Sequence, residues 1–332
     1  MLQRLNSSAC AVIELLVFSG TPNPLIHLNH TDAHTLCAIV GSTPQPPPPC
    51  RVVGFTGWKL GDGTVWHGVD SIDAVLLRQP SFHALGRTVR EHVQTEIELK
   101  GRGCAHSDEE TPSCPQHEKA PADVCGVARC DSSACPCGCE CGNATDPGVC
   151  YVPAHASARP RALTCASVPI IGPDDPSKVR FAPQADDGGC FVAKQSENNC
   201  YDYATDIVTN TFAQPGRGSG VCPKSQRPCV KNACDDVRHA AESDGLAWVG
   251  TQLPSALPTE GHYVSLHIWP QTNFHWLRMD ADLRWSHKPG GSPVRNVDNN
   301  GQVILDPSKA DVSPWSEHCG YMHVLPSNVS IY

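Results

Sequence analysis

Residues 198–208, NNCYDYATDIV, predict a helix in the C-terminal part of the chain, with a cysteine in its first turn. The residues that recur at the i, i+3, i+4 spacing of a buried helix face are Tyr203, Ala204, Ile207 and Val208. Asn198 or Asn199 is the predicted N-cap, because a side-chain amide oxygen there accepts a free backbone N–H. A thiol at such a position feels the positive end of the helix dipole, which favours the thiolate. Cys200 is therefore the candidate nucleophile.

A second helix and a series of short strands are predicted after this helix. The predicted helix covers residues 233–243, and alternating runs bounded by turn residues predict strands at 262–269, 274–279, 284–287, 303–305 and 321–325. A helix followed by an antiparallel meander indicates an α+β fold for residues 191–332.

Two histidines on these strands are the candidate partners of the thiol, because a cysteine nucleophile needs a base and a group that orients the base. Period-two alternation puts His262 on the face of Val264, Leu266 and Ile268, which is expected to pack on the Cys200 helix. His275 lies on the next predicted strand, and antiparallel pairing is expected to bring it beside His262. His287, on a further strand, is a substitute for either histidine.

Residues 196–325 resemble the NlpC/P60 and CHAP thiol hydrolases, which have a compact papain-like fold. The shared features are a helix-opening Cys200, then Gly261-His262 at the start of a strand, then the polar His275 about a dozen positions later. The resemblance implies that Cys200 is the nucleophile, His262 the base and His275 the orienting residue. It also implies hydrolysis of a peptide or peptidoglycan-like amide substrate through an acyl-enzyme, without a cofactor.

The sequence departs from that pattern around the nucleophile, where residues 199–203 read NCYDY. The departure leaves the substrate class open. Phrases at residues 18–24, FSGTPNP, and 210–216, NTFAQPG, instead resemble parts of an uncharacterised protein group and imply no activity. Cys200 has an alternative role as a half-cystine, with Cys190, Cys222 or Cys319 as its partner. The odd total of 19 cysteines leaves at least one unpaired within the chain, without identifying it.

The rest of the chain divides into two segments of different composition. Residues 1–100 are predicted to form a small α/β module. Residues 101–190 are rich in Cys, Pro and Gly and lack apolar periodicity, so this segment needs covalent or metal staples. The alternating cysteines that favour either a knot of disulfides or a clamp for zinc or copper(I) are Cys135, Cys137, Cys139 and Cys141.

Bulk properties narrow the function classes. The formal net charge of −9 and the lack of a dense Lys/Arg run argue against nucleic acid as a partner. No apolar run approaches the ~18 residues that span a bilayer. The cysteines favour an extracellular location, as do four glycosylation sequons at Asn6, Asn29, Asn143 and Asn328. Two alternatives to the hydrolase remain: a non-catalytic, disulfide-stapled binding or matrix protein, and a thiolate metal-binding protein. The sequence does not determine the oligomeric state.

Overall fold

The computed structural model describes residues 7–45, 54–99, 140–143, 146–151, 170–171, 190–223 and 229–332. Cys135, Cys137 and Cys139 of the predicted metal clamp lie outside these residues, as does most of the 101–190 segment. Cys141 lies on a described strand, but its side chain is not described. The helices are α1 (His30–Ser42), α2 (Asp70–Leu77), α3 (Pro80–His83), α4 (Arg87–Leu99), α5 (Cys190–Ala193), α6 (Cys200–Thr205) and α7 (Cys234–Ser243).

Thirteen strands are present in the described part of the chain. The N-terminal strands are β1 (Val12–Leu16), β2 (Leu25–His27), β3 (Gly57–Lys59) and β4 (Val65–Trp66). Three short strands follow: β5 (Glu140–Asn143), β6 (Asp146–Tyr151) and β7 (Ile170–Ile171). The C-terminal strands are β8 (Ile207–Val208), β9 (Ala247–Gly250), β10 (His262–Trp269), β11 (Asn273–Met279), β12 (Trp285–His287) and β13 (Glu317–Val324).

The N-terminal residues form a four-stranded sheet, in the order β2-β1-β3-β4, with helices α1 to α4 packed around it. Helix α1 begins at the N-cap Asn29, whose side-chain oxygen accepts the Asp32 backbone N–H at 2.8 Å. A disulfide between Cys10 and Cys37 ties this helix to the segment before β1. Helices and an antiparallel sheet are thus combined in this part of the chain.

A five-stranded antiparallel sheet, in the order β12-β11-β10-β13-β9, forms the centre of the C-terminal part. Alternate side chains of each strand point to opposite faces of the sheet, and a hydrophobic core covers each face. Val264, Leu266 and Ile268 of β10 pack with α6 and α7 in one core. Leu277 and Met279 of β11 belong to the opposite face and share a core with the N-terminal sheet and helices. The described residues therefore form a mixed helix and antiparallel-sheet structure of the α+β class, as predicted for residues 191–332.

Helix α6 begins at Cys200, as the sequence predicts, but it is shorter than the apolar spacing indicates. It ends at Thr205, because Asp206 takes the left-handed conformation with φ 57°. Ile207 and Val208, which the spacing assigns to the helix face, instead form β8 and pair with β7. All six helical residues are buried, so α6 is a core helix without a solvent face.

Candidate functional site

Cys200 lies at the start of α6, directly after the N-cap Asn199. The Asn199 side chain accepts the backbone N–H groups of Tyr201 and Asp202, and Asp202 in turn accepts the Asn199 N–H at 2.8 Å. This reciprocal capping box fixes the first turn and selects Asn199 over Asn198 as the cap. Cys200 itself is a free cysteine with 0% exposure.

Burial determines the chemistry of the Cys200 thiol. It raises the pKa of the thiol to about 12, an effect larger than the lowering by a hydrogen bond to Ser19. The sequence predicts the opposite shift, towards the thiolate, from the helix dipole alone. The charged form is unfavourable because the sulfur is removed from water on every side. At neutral pH this group is a buried neutral thiol.

Ser19 links Cys200 to a chain of two histidines. Its hydroxyl lies 2.5 Å from His275 Nδ1, and His275 Nε2 lies 2.8 Å from His287 Nδ1. His287 Nε2 is 2.9 Å from the Val297 carbonyl oxygen, which ends the chain. Since a carbonyl only accepts, His287 donates from Nε2 and its Nδ1 accepts from His275. Ser19, His275 and His287 are all buried.

Desolvation keeps both histidines neutral. Burial holds the pKa of His275 well below its usual range, and the neighbouring His287 lowers it further. The pKa of His287 is lowered to about 4, mainly by burial. A neutral thiol, a hydroxyl and two neutral imidazoles with 0% exposure form a hydrogen-bonded core network. Since none of these groups reaches solvent, the arrangement orders the core and offers a dissolved substrate no contact with the sulfur.

The structure places His262 away from this network. His262 is buried on the α6 face of β10, and its Nε2 lies 2.6 Å from the Ala204 carbonyl oxygen. The expectation that His275 lies beside His262 is wrong, because His275 pairs with His267 in the observed register. His262 and His267 are five positions apart on β10, which corresponds to about 16 Å along a strand. The predicted base and its predicted orienting residue are therefore not brought together.

Two buried charges near α6, which the sequence interpretation missed, stabilise the surrounding loops. The Lys288 ammonium donates to the carbonyl oxygens of Gln195, Asn198 and Gly290 at 2.6, 2.5 and 2.7 Å. Asp202 accepts the Thr209 hydroxyl at 2.5 Å, and burial raises the pKa of its carboxyl to about 6. Lys288 has no sequence signal of its own, whereas Asp202 holds the acidic position three residues after the N-cap Asn199. Ser19, which was also missed, lies inside the FSGTPNP phrase.

The described residues contain no group of three or more His, Cys, Asp or Glu side chains that could hold a metal ion. The predicted zinc or copper(I) clamp at Cys135, Cys137, Cys139 and Cys141 stays a prediction, since none of these side chains is described. Within the same described part of the chain, no helix has the length and apolar character needed to cross a membrane.

Comparison with known proteins finds one informative relative. No family model matches the chain, and no solved structure matches it, so the predicted papain-like architecture stays a prediction. Insoluble matrix shell protein 1 of Ruditapes philippinarum is 43% identical over 132 residues, which cover 40% of this chain and 82% of that protein.

This kinship overturns the hydrolase prediction. The relative is named as a matrix protein, not as a hydrolase or protease, and it favours the non-catalytic alternative. The burial of Cys200 and its separation from an accessible base agree with that correction. At this identity and coverage, the chain belongs to the family of insoluble matrix shell protein 1.

Proposed function

We propose that this protein is a non-catalytic, disulfide-stapled component of an insoluble extracellular matrix. The observation that carries the proposal is the kinship with insoluble matrix shell protein 1. The matched 132 residues cover 40% of the chain, and features of the described residues also support this role.

The disulfides support an extracellular location. Three of them join described residues: Cys10 with Cys37, Cys222 with Cys229, and Cys234 with Cys319. Such bonds form and persist in oxidising compartments and are rare in the cytosol. They also suit a protein that must stay folded for long periods outside the cell, because each restricts the unfolded chain.

The burial of polar groups supports a structural rather than a chemical role. Cys200, Ser19, His275 and His287 satisfy one another inside the core, where their hydrogen bonds specify a single packing. None of them needs to react for this role. A half-buried thiol with a lowered pKa would have been the sign of a nucleophile, and Cys200 has the opposite properties.

Fractionation of the secreting tissue tests the proposal. An antibody raised against residues 229–332 is used to follow the protein through a neutral-buffer extract, a denaturant extract, and a final extract with denaturant and reductant. We expect the protein to stay in the insoluble material after extraction with neutral buffer, and to be released only when denaturant is added. A cytosolic protein and a freely soluble secreted protein are followed in parallel as controls. Recovery of the whole amount in the neutral extract or with the cytosolic control would refute the proposal.

A further inference from the structure

A groove with a volume of about 820 Å³ lies between the N-terminal sheet and the loops around α6. One wall is built from β1 and β3, including Glu14 and Lys59. The other wall includes the segment around Gln195 and the loop Asn210, Thr211 and Phe212. The volume falls in the range of about 300–1,000 Å³ that is typical of ligand sites.

The backbone of this loop is strained. Asn210 has φ 56° and Phe212 has φ 59°, both in the left-handed region. Asn tolerates that region, but a bulky residue such as Phe rarely adopts it. Strain of this kind concentrates at functional sites, where the surrounding structure holds it in place.

Buried side chains hold the strained loop. The Asn198 side-chain oxygen accepts the backbone N–H groups of Thr209 and Asn210 at 3.1 and 2.9 Å. The Glu197 carbonyl oxygen accepts the Phe212 N–H at 2.9 Å. Asn198 is itself 0% exposed. The loop is thus fixed before any ligand arrives, and Phe212 remains half-buried at the groove surface.

The charges in the groove are paired within the protein. Glu14 accepts from Lys59 at 3.1 Å, and Glu197 accepts from Lys194 at 2.9 Å. The remaining polar groups at the surface are neutral amides and hydroxyls, such as those of Gln195 and Thr211. A surface of this kind suits a ligand that is uncharged, rich in hydroxyl groups and partly apolar on its faces.

We propose that this groove binds a segment of neutral oligosaccharide. The Phe212 ring stacks on the apolar face of a sugar ring, and amides and hydroxyls of the two walls hydrogen-bond to sugar hydroxyls. The binding is a property of the folded chain and goes beyond the proposed matrix role. It is measured on purified protein, so its failure is distinguishable from a failure of the fractionation experiment.

Titration calorimetry of the full chain, with its disulfides intact, tests the site. The probes are hexasaccharides of β-1,4-glucose, β-1,3-glucose and β-1,4-N-acetylglucosamine. We expect at least one to bind with a Kd of about 1 mM or tighter. A sulfated hexasaccharide and an acidic hexapeptide are titrated separately as comparison ligands, and we expect both to bind more weakly than the best neutral probe.

Substitution of Phe212 locates the binding. Phe212→Gly removes the ring and relieves the left-handed strain, since glycine adopts that conformation freely. Phe212→Asn is the second variant, because Asn tolerates the same region. Both are expected to weaken the binding at least tenfold. Leu283→Gly is the matched control, an exposed residue with φ 68° outside the groove, and it should bind as the unchanged protein does.

Three results would each overturn the proposal. The first is that none of the neutral probes binds the unchanged protein. The second is that both folded Phe212 variants, checked by circular dichroism, keep the affinity of the Leu283→Gly control. The third is that the peptide or the sulfated probe binds the groove more tightly than every neutral probe.

Discussion

The Cys200 thiol is enclosed by core residues from α6 and β11, and this enclosure sets its reactivity. With a pKa of about 12 and 0% exposure, the sulfur has neither the charge nor the access that alkylation requires. We expect iodoacetamide at pH 7 to leave Cys200 unlabelled in the native protein and to label it after denaturation without reductant. Peptide mass spectrometry reads both states. Rapid labelling of Cys200 in the native protein would contradict the buried thiol.

Lys288 is the residue around α6 whose substitution we expect to lower the free energy of unfolding most. Its three carbonyl acceptors are the oxygens of Gln195, Asn198 and Gly290. Lys288→Met keeps the length of the side chain but leaves these carbonyls without that donor. We expect the free energy of unfolding to fall by about 3 kcal/mol.

Urea unfolding followed by tryptophan fluorescence measures this loss. Lys309→Met is the matched control, because the Lys309 side chain is 83% exposed and forms an ion pair with the Asp306 carboxylate at 2.9 Å. Its expected change is within about 0.5 kcal/mol. Equal effects of the two substitutions would show that the buried lysine contributes no more than a surface one.

At the scale of elements, local patterns predict where strands and helices lie. The alternation of residues 262–269 predicts β10 at the bounds it has, and the cysteine after two asparagines predicts the start of α6. The apolar spacing fails at Asp206, because it does not reveal that the chain turns into the left-handed region there.

The pairing of strands is less accessible from sequence, which explains why His262 and His275 were wrongly predicted to be neighbours. The turn between Trp269 and Asn273 sets the register of β10 and β11, and it places His275 opposite His267. A register is a property of two strands and their turn, and a shift of one residue exchanges the faces. The burial of Cys200 depends likewise on Ser19 and Phe274, which lie far from it in the chain.

Two disulfides that close loops of different length test how loop length determines the stabilisation by a disulfide. Cys234–Cys319 joins the start of α7 to β13 across 85 residues, whereas Cys222–Cys229 spans only 7. A longer loop loses more entropy when it is closed in the unfolded chain. We expect the double substitution Cys234→Ala/Cys319→Ala to lower the free energy of unfolding by about 4 to 5 kcal/mol, against about 2 kcal/mol for Cys222→Ala/Cys229→Ala. Urea unfolding compares the two, and a larger loss for the short loop would contradict the entropic account.

At the scale of the whole molecule, one sheet joins two cores. The β10 and β11 side chains that point to one face pack with α6 and α7, and those of the other face pack with the N-terminal sheet and helices. The buried histidines on the second side, His267, His275 and His287, lie between the two halves of the chain. Protonation of these histidines would therefore place charge in the contact between the two halves and weaken it.

This arrangement predicts a loss of stability in mild acid. Burial lowers the pKa of His267 to about 3 and of His287 to about 4, and that of His275 lies well below its usual range. In the unfolded chain these groups titrate near pH 6.5, so between pH 6.5 and about 4 the unfolded state binds protons that the folded state does not. Stability must then fall as the pH falls through 6.5. His267 and His287 each contribute a loss of about 2 kcal/mol at pH 5, and His275 acts in the same direction.

The carboxyl of Asp202 acts in the opposite direction. Burial raises its pKa to about 6, so the folded state gains a proton that the unfolded state lacks between pH 6 and about 4. The proton adds about 1 kcal/mol to the free energy of unfolding at pH 5, which is less than the three histidines subtract.

We therefore expect the urea midpoint to be lower at pH 5 than at pH 7, and His267→Gln to reduce that difference. His30→Gln, an exposed change at the start of α1, is the matched control and should keep the full difference. A midpoint at pH 5 that equals or exceeds the midpoint at pH 7 would rule out the buried neutral histidines as the source of pH dependence.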